Sequence, residues 1–377
     1  MQAHDLVIVG SGPSGISTAL SLVRLDPAWA GRLVVLEKEH HPRPKLCGGG
    51  VTFTADPVLK HLDLSLDALG VPSVPIHTVR VKFEELYTDV HFPNVFRVLR
   101  RDELDGALVR EARARGVRVE EGVKVERITP RGDHVHLQTS AGELRAQAVV
   151  GADGSKGVVR RHMELGEDQR VSRLVELLTP EDPAQTPEFT EHRAVFDFSP
   201  YNQKVQGYYW DFPSFKQGRA YMNRGVFDSR VHPEAPRADL KGALEEALEE
   251  RDRRLGDHEL MGHPERWYDP EARCANPRLL LVGDAAGVEP LLGEGISWAL
   301  RYGPFAARYL HDAMGRGDLS FSDYEAQLRT SPLGKELALR VRLARFCYRQ
   351  DRRFYRMMWP SLKLASRFVA WKSQGAL

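Results

Sequence analysis

The stretch "LVIVGSGPSGISTALSLVRL", Leu6 to Leu25, decides the fold. Val7, Ile8 and Val9 are β-branched and continuous, the composition of a strand covered on both faces. Gly10, Gly12 and Gly15 then give GxGxxG at a turn, and Pro13 and Ser14 open a helix. The first glycine allows the tight bend, the second lets a pyrophosphate approach, and the third lets the helix pack on the strand. The helix N-terminus supplies unpaired N–H groups and a partial positive charge for that anion. A lone GxGxxG also occurs in ordinary strand–helix turns. Here a second strand, "RLVVLEK", ends in Glu37 and Lys38, about 20 residues after the last glycine, where a carboxylate accepts hydrogen bonds from an adenosine ribose. The stretch predicts a dinucleotide site without choosing between FAD and NAD.

Composition sets the outer bounds. A length of 377 residues suggests two or three domains, or one large α/β domain with insertions. The net charge is +1, so nothing global points to nucleic acid. The three cysteines, Cys47, Cys274 and Cys347, are far apart and lack CxxC spacing, which argues against structural zinc or a disulfide framework and fits a reducing cytoplasm. The histidines of "HHP" and "HVH" lack the helical spacing or carboxylate companions of a metal site, so no metal is expected. No basic and then apolar segment precedes "DLVIVG", and no uncharged apolar run is long enough to span a bilayer. The expectation is a soluble cytoplasmic protein, at most peripheral to the inner face of a membrane.

Three further motifs choose the cofactor. "LLLVGDAAG", residues 279 to 287, is a buried strand ending in Gly283 and Asp284, and "VEPLLGEGISWAL" follows, with Gly293, Glu294 and Gly295 opening a helix at Ile296. An aspartate at such a strand end can hold ribityl hydroxyls, and the helix dipole can stabilise negative charge on a reduced isoalloxazine. "VVGADGSKGVVRR" places Asp153 and Gly154 after a strand, and "RRDELDGALVREA" places Arg101, Asp105 and Leu108 on an amphipathic helix start. Each alone fits a turn or a solvated helix. Together and in this order they resemble the flavoprotein family typified by p-hydroxybenzoate hydroxylase, which carries GxGxxG, RxxLD or RxxFD, DG and GD motifs along one chain. The match runs from the N-terminus to about Leu300. The resemblance implies FAD bound by Gly10, Gly12, Gly15, Glu37, Arg101, Asp153 and Asp284, with Pro13, Ser14, Lys38, Gly293, Gly295 and Ile296 around it. No second GxGxxG follows, so NADPH or another electron donor is expected to visit transiently.

Two stretches narrow the reaction. "HHPRPKLCGGG", residues 40 to 50, sets Cys47 beside Gly48, Gly49 and Gly50; a glycine run is tolerated where backbone turns sharply or approaches another group closely. "GYYWDFP", residues 207 to 213, would present Tyr208, Trp210 and Phe212 on one strand face, with Tyr209 and Asp211 on the other. Taken singly these are a surface turn, a small buried cysteine and a core-facing strand. With "PLLGEGI" they resemble the geranylgeranyl reductase family, which saturates isoprenoid double bonds in archaeal lipid precursors, chlorophyll side chains and quinone tails. The resemblance implies that Cys47, Gly48 and Gly49 lie against the flavin and that Tyr208, Trp210 and Phe212 line the pocket of a hydrophobic isoprenoid substrate. Flavin halogenases carry a related strand motif with two tryptophans on a longer chain, whereas this stretch has Trp210 alone.

An isolated alkene has no polarising carbonyl, so hydride addition from reduced flavin N5 needs a proton at the neighbouring carbon. Cys47 is the candidate acid or flavin-site modulator, since a thiol of ordinary pKa about 8.5 stays mostly protonated at neutral pH. The reading that follows is an FAD-dependent reductase of prenyl double bonds. Its rivals are an FAD-dependent monooxygenase or halogenase of an aromatic or polyketide-like metabolite, and a non-catalytic FAD-binding electron relay.

The expected architecture is α/β: a Rossmann-type FAD-binding domain, an inserted antiparallel-sheet substrate domain and a helical C-terminal segment. The FAD-binding domain is expected over 1–75, 98–165 and 270–318, the substrate domain over 76–97 and 166–269, and the C-terminal segment over 319–377. "VRVKFEELYTDVHF" alternates as a strand or hairpin of the substrate sheet, and "ADLKGALEEALEERDRRLG" is a charged helix. From Lys335 to Leu377 there are eleven Lys or Arg against Glu336 and Asp351. Arg342, Arg345, Arg349, Arg352 and Arg356 have the spacing of one basic stripe, interleaved with Phe346, Phe354, Tyr355, Met357, Met358, Trp359, Phe368 and Trp371. That pattern suits an anionic membrane surface, or a helical pair capping the substrate domain with its basic face in solvent.

Overall fold

The computed structural model describes residues 2–165 and 170–360. Its strands are β1 (Gln2–Val9), β2 (Leu33–Leu36), β3 (Gly50–Thr52), β4 (Ser73–Phe83), β5 (Leu86–Leu99), β6 (Arg118–Glu120), β7 (Val125–Pro130) and β8 (Val135–Thr139). There follow β9 (Gly142–Gly151), β10 (Val171–Pro180), β11 (Arg193–Asp197), β12 (Gly207–Lys216), β13 (Arg219–Asp228), β14 (Met261–Arg266), β15 (Ala275–Asn276) and β16 (Leu279–Leu281).

They form two sheets. The first runs β15-β16-β9-β1-β2-β6, with β8 on β9 and β7 on β8. Its centre is parallel: Val7 lies opposite Val34 on one side and Val149 on the other. Leu6, Val7 and Ile8 have no solvent exposure, as a two-sided parallel sheet requires. The helix Pro13–Leu25 starts at Gly12 with Pro13 at its first position, where the missing N–H costs nothing. Gly15 has to be glycine for steric reasons, because a Cβ there would lie 2.0 Å from the Gly10 carbonyl oxygen. The long helix Ile296–Arg316 packs on the same helix, with Ser17 Oγ donating to the Leu300 carbonyl at 2.7 Å.

The second sheet runs β14-β10-β13-β12-β11-β4-β5-β3. It is antiparallel except where β4 meets β11 in parallel, a departure from a purely antiparallel insert. The alternation read in "GYYWDFP" holds in β12. Tyr208, Trp210 and Phe212 join one apolar cluster with Ile76, Phe96 and Phe227. Tyr209 joins another beneath the helix Leu240–Glu249, where Asp211 accepts from Arg224 at 2.6 Å and from Arg251 at 2.8 Å.

The C-terminal segment corrects one expectation. Its arginines do not form a single stripe, because the helix Pro332–Cys347 ends and a separate one occupies 352–360. Asp351 starts the new helix by accepting from Phe354 N at 2.9 Å, the usual role of a short acidic N-cap. Arg352 then pairs with Glu84 at 2.5 Å and Arg356 pairs with Glu84 and Glu85, at the β4–β5 turn. Tyr355 stacks on Phe83 with ring centroids 5.3 Å apart. Two of the five arginines are therefore spent on the second sheet. Lys363, Arg367, Phe368, Trp371 and Lys372 lie outside the described residues. Among those described, no helix is long and apolar enough to cross a membrane.

Candidate active site

The two sheets meet around a cavity of about 830 Å³. Gly10, Gly12, Pro13, Ser14, Glu37, Lys38, Cys47, Gly48, Gly49, Arg101, Asp153, Asp284, Gly293, Gly295 and Ile296 all line it, as do Tyr208, Trp210 and Phe212. Of the residues expected to contact the cofactor, Gly15 stands behind the wall, holding helix to strand.

One end of the cavity is cationic. A Cβ built on Gly12 would stand 3.8 Å from Arg101 Nη2 and 4.0 Å from Arg43 Nη2, so the glycine turn opens onto two guanidinium groups. Asp105, fully buried, fixes both: it accepts from Arg101 at 2.8 and 2.9 Å and from Arg43 at 3.2 Å. These guanidiniums and the first amides of the helix Pro13–Leu25 form an anion cradle suited to a pyrophosphate. Glu37 accepts from Ser11 N at 3.1 Å and from Ser11 Oγ at 2.7 Å, and lies 3.5 Å from Arg43 Nε. Burial works against its ionisation, but Arg43 and the serine donors outweigh it and hold the carboxyl below its ordinary range. Asp153 caps the short helix Val158–His162 by accepting from Val159 N at 3.1 Å, while its buried Oδ1 has no partner; burial pushes this carboxyl up to about 6.

At the other end, Asp284 follows β16 and the loop before Ile296 is tied down. Glu289 accepts from the amides of Leu291, Leu292 and Glu294 at 2.8, 2.9 and 2.9 Å. Tyr208 and Tyr348 donate their hydroxyls to the carbonyls of Leu292 and Leu291. The glycine-rich stretch to Gly295 thereby presents the N-terminus of the helix Ile296–Arg316 to the cavity.

The cysteine loop spans the seam between the sheets. Cys47 N donates to Glu176 Oε1 at 3.1 Å, and the Cys47 carbonyl accepts from Asn223 Nδ2 at 3.0 Å. Asn223 Oδ1 in turn accepts from Trp210 Nε1 at 2.9 Å, so the aromatic wall and the loop share one hydrogen-bonded bracket. A Cβ on Gly48 would meet the Phe212 ring at 3.3 Å and Trp210 Nε1 at 3.5 Å. Burial pushes the Cys47 thiol up, and Arg101 offsets only part of that shift.

Several lining or bracing residues were not singled out by the motifs: Arg43, Lys45, Glu176, Asn223, His263, Glu265 and Glu289. Two carried a signal. Glu176 interrupts the apolar run Leu174–Leu178 and Glu289 precedes the apolar Pro290–Leu292, and a carboxylate in a buried run demands a partner. His263 and Asn223 have no such mark in the sequence.

A cationic turn at a strand–helix junction, an aspartate at a distant strand end and one cavity lined by both fit a dinucleotide carrying a flat ring system. Fold and site define an FAD-dependent oxidoreductase. The chain belongs to the FAD-binding domain family, whose model matches residues 3–301. It is 28% identical to the menaquinone reductase of Mycolicibacterium smegmatis, covering 91% of this chain and 85% of that protein. It is 27% identical to the digeranylgeranylglycerophospholipid reductase of Methanothrix thermoacetophila, covering 92% and 88%. Among solved structures, a geranylgeranyl bacteriochlorophyll reductase-like protein from Thermoplasma acidophilum superposes with a TM-score of 0.77 at 19% identity, over 98% of this chain and 92% of that one. The p-nitrophenol 4-monooxygenase of Pseudomonas putida follows the same fold, with a TM-score of 0.70 at 21% identity over 96% and 94%.

Proposed function

We propose that this flavoprotein saturates carbon–carbon double bonds of a prenyl chain. The observation that carries this reading is the bracket joining Cys47, Asn223 and Trp210, which sets an aromatic wall directly against the cysteine–glycine loop in one cavity. Bound FAD, once reduced, supplies the hydride; NADPH or another two-electron donor restores it. Arg101, Arg43 and the helix amides would hold its pyrophosphate, and Asp284 would take its ribityl hydroxyls. Tyr208, Trp210 and Phe212 orient the apolar chain and exclude water from it. Cys47 bounds the reacting space with its thiol protonated at neutral pH.

The test is anaerobic. Photoreduced enzyme mixed with a geranylgeranyl lipid that carries no quinone ring is expected to return to oxidised flavin, with product heavier by two hydrogens per bond. The fold shared with p-nitrophenol 4-monooxygenase supports the rival reading, and reoxidation that requires oxygen and adds an oxygen atom to the substrate would establish that instead.

A lipid substrate also gives a use to the exposed face of the helix Pro332–Cys347. Leu339, Leu343 and Phe346 are 51%, 40% and 55% exposed there, flanked by Lys335, Arg342 and Arg349. Apolar residues between cations suit an anionic bilayer surface. Flotation with phosphatidylglycerol vesicles is expected to carry the protein, and Leu343→Glu with Phe346→Glu to leave it at the bottom. Equal flotation of both proteins would remove this face from the membrane.

A further inference from the structure

Lys45 precedes Cys47 by two residues and projects into the same cavity, where its Nζ lies 2.6 Å from Nε2 of His263 on β14. Two nitrogen bases at that distance share one proton. Burial, then Lys45 and Arg101, press the His263 ring down to about 3, so the ring is neutral and its Nε2 accepts from the lysine ammonium. The ammonium is thereby held against β14 within the cavity that both residues line.

We propose that Lys45, held by His263, delivers the proton in double-bond reduction, and that Cys47 serves as a wall of the site. This rests on the reductase reading above. The reduced flavin gives a hydride to one alkene carbon and is oxidised. The neighbouring carbon takes a proton from the Lys45 ammonium, whose N–H bond breaks to leave a neutral amine. The product gains two hydrogens, water reprotonates the amine, and an external two-electron donor re-reduces the flavin.

Acid strength favours the lysine. A general acid works best with a pKa near the working pH. Burial and then Arg101 bring Lys45 down to about 8, whereas burial drives the Cys47 thiol upward. The groups facing Lys45 come from several elements: Arg43 and Cys47 on its own loop, Arg101 on its helix, Asp284 after β16, Glu176 on β10, and His263 and Glu265 on β14. His263 is a positioning residue here.

Two measurements on the FAD-loaded protein test the assignment. Competitive acetylation of Lys45, read by mass spectrometry across pH, is expected to show a midpoint near 8 in place of the ordinary value of about 10.4; an ordinary midpoint overturns the proposal. Single-turnover reoxidation of reduced flavin by a prenyl alkene is expected to slow in the wild type as pH rises through 8, because the ammonium is lost. Lys45→Arg keeps the charge and the fold but holds its proton, and is expected to slow the step at least about 100-fold while binding FAD normally. Lys45→Met serves as a second variant, and both should lose the alkaline fall. Equal rates and an unchanged pH profile in Lys45→Arg overturn the assignment alone, whereas a wild-type flavin that no prenyl alkene reoxidises overturns the reductase reading and this proposal with it.

Discussion

Asp105→Ala is expected to lower stability by about 3–5 kcal/mol and to abolish tight FAD binding. Asp105 has no solvent exposure, and its carboxylate is held between Arg101 and Arg43, whose side chains are 11% and 14% exposed. Breaking a buried ion pair from one side leaves the other charge without compensation, and here two cations are left at once. They repel each other, and the cradle over the Gly12 turn loses its shape. Asp105→Asn keeps the volume and one acceptor, so its loss should fall between wild type and alanine. Urea unfolding of the apoprotein gives the stability, and fluorescence titration with FAD gives the affinity. An alanine variant within 1 kcal/mol of wild type would mean that solvent reaches this cluster.

The second large effect is expected at Gly49, with Gly48 as its contrast. Gly49 has φ +80°, and a Cβ there would lie 2.0 Å from the Leu99 carbonyl oxygen. A side chain in the left-handed region against fixed backbone costs on the order of 1–3 kcal/mol from conformation alone, before the clash with β5. Gly49→Ala should therefore pull the loop off β5, where Leu99 N now donates to the Gly49 carbonyl at 3.0 Å, and break the Cys47–Glu176 contact. The expected signs are a lower melting temperature and faster alkylation of Cys47 by iodoacetamide. Gly48→Ala meets side-chain rings at 3.3 Å without positive φ, so it should spare stability and perturb the flavin spectrum instead. Identical behaviour of the two variants would contradict this division of labour between neighbouring glycines.

What could be read in the sequence was what local physics writes into a short window. The phosphate turn, the strand-end Asp284 and the alternating β12 each carry their own periodicity or turn chemistry, and all face the cavity. The partners that brace them come from far along the chain. Lys45 meets His263 across 218 positions and Asn223 reaches Cys47 across 176, and no window of sequence contains both members. The arginine spacing near the C-terminus shows the opposite error. It is helical in register from Arg342 to Arg356, yet Asp351 starts a new helix in the middle, and the Glu84 and Glu85 side chains decide where Arg352 and Arg356 go. Charge periodicity describes a surface only if the helix is unbroken, and a capping residue inside the pattern was the warning.

Tyr348 gives the closing loop of the cavity a date in the life of the polypeptide. The glycine turn is complete by Gly15, but β16 takes its place beside β9 only at Leu281, and the loop it leads to is tied by Glu289, by Tyr208 and, last along the chain, by the Tyr348 hydroxyl. A chain that has not yet extended through Tyr348 can therefore form the strand–helix turn while one tie on the loop beyond Asp284 is still missing. Chains truncated before Tyr348 are expected to hold FAD more weakly than the full chain although Gly10, Gly12 and Asp284 are all present, as fluorescence titration with FAD would show.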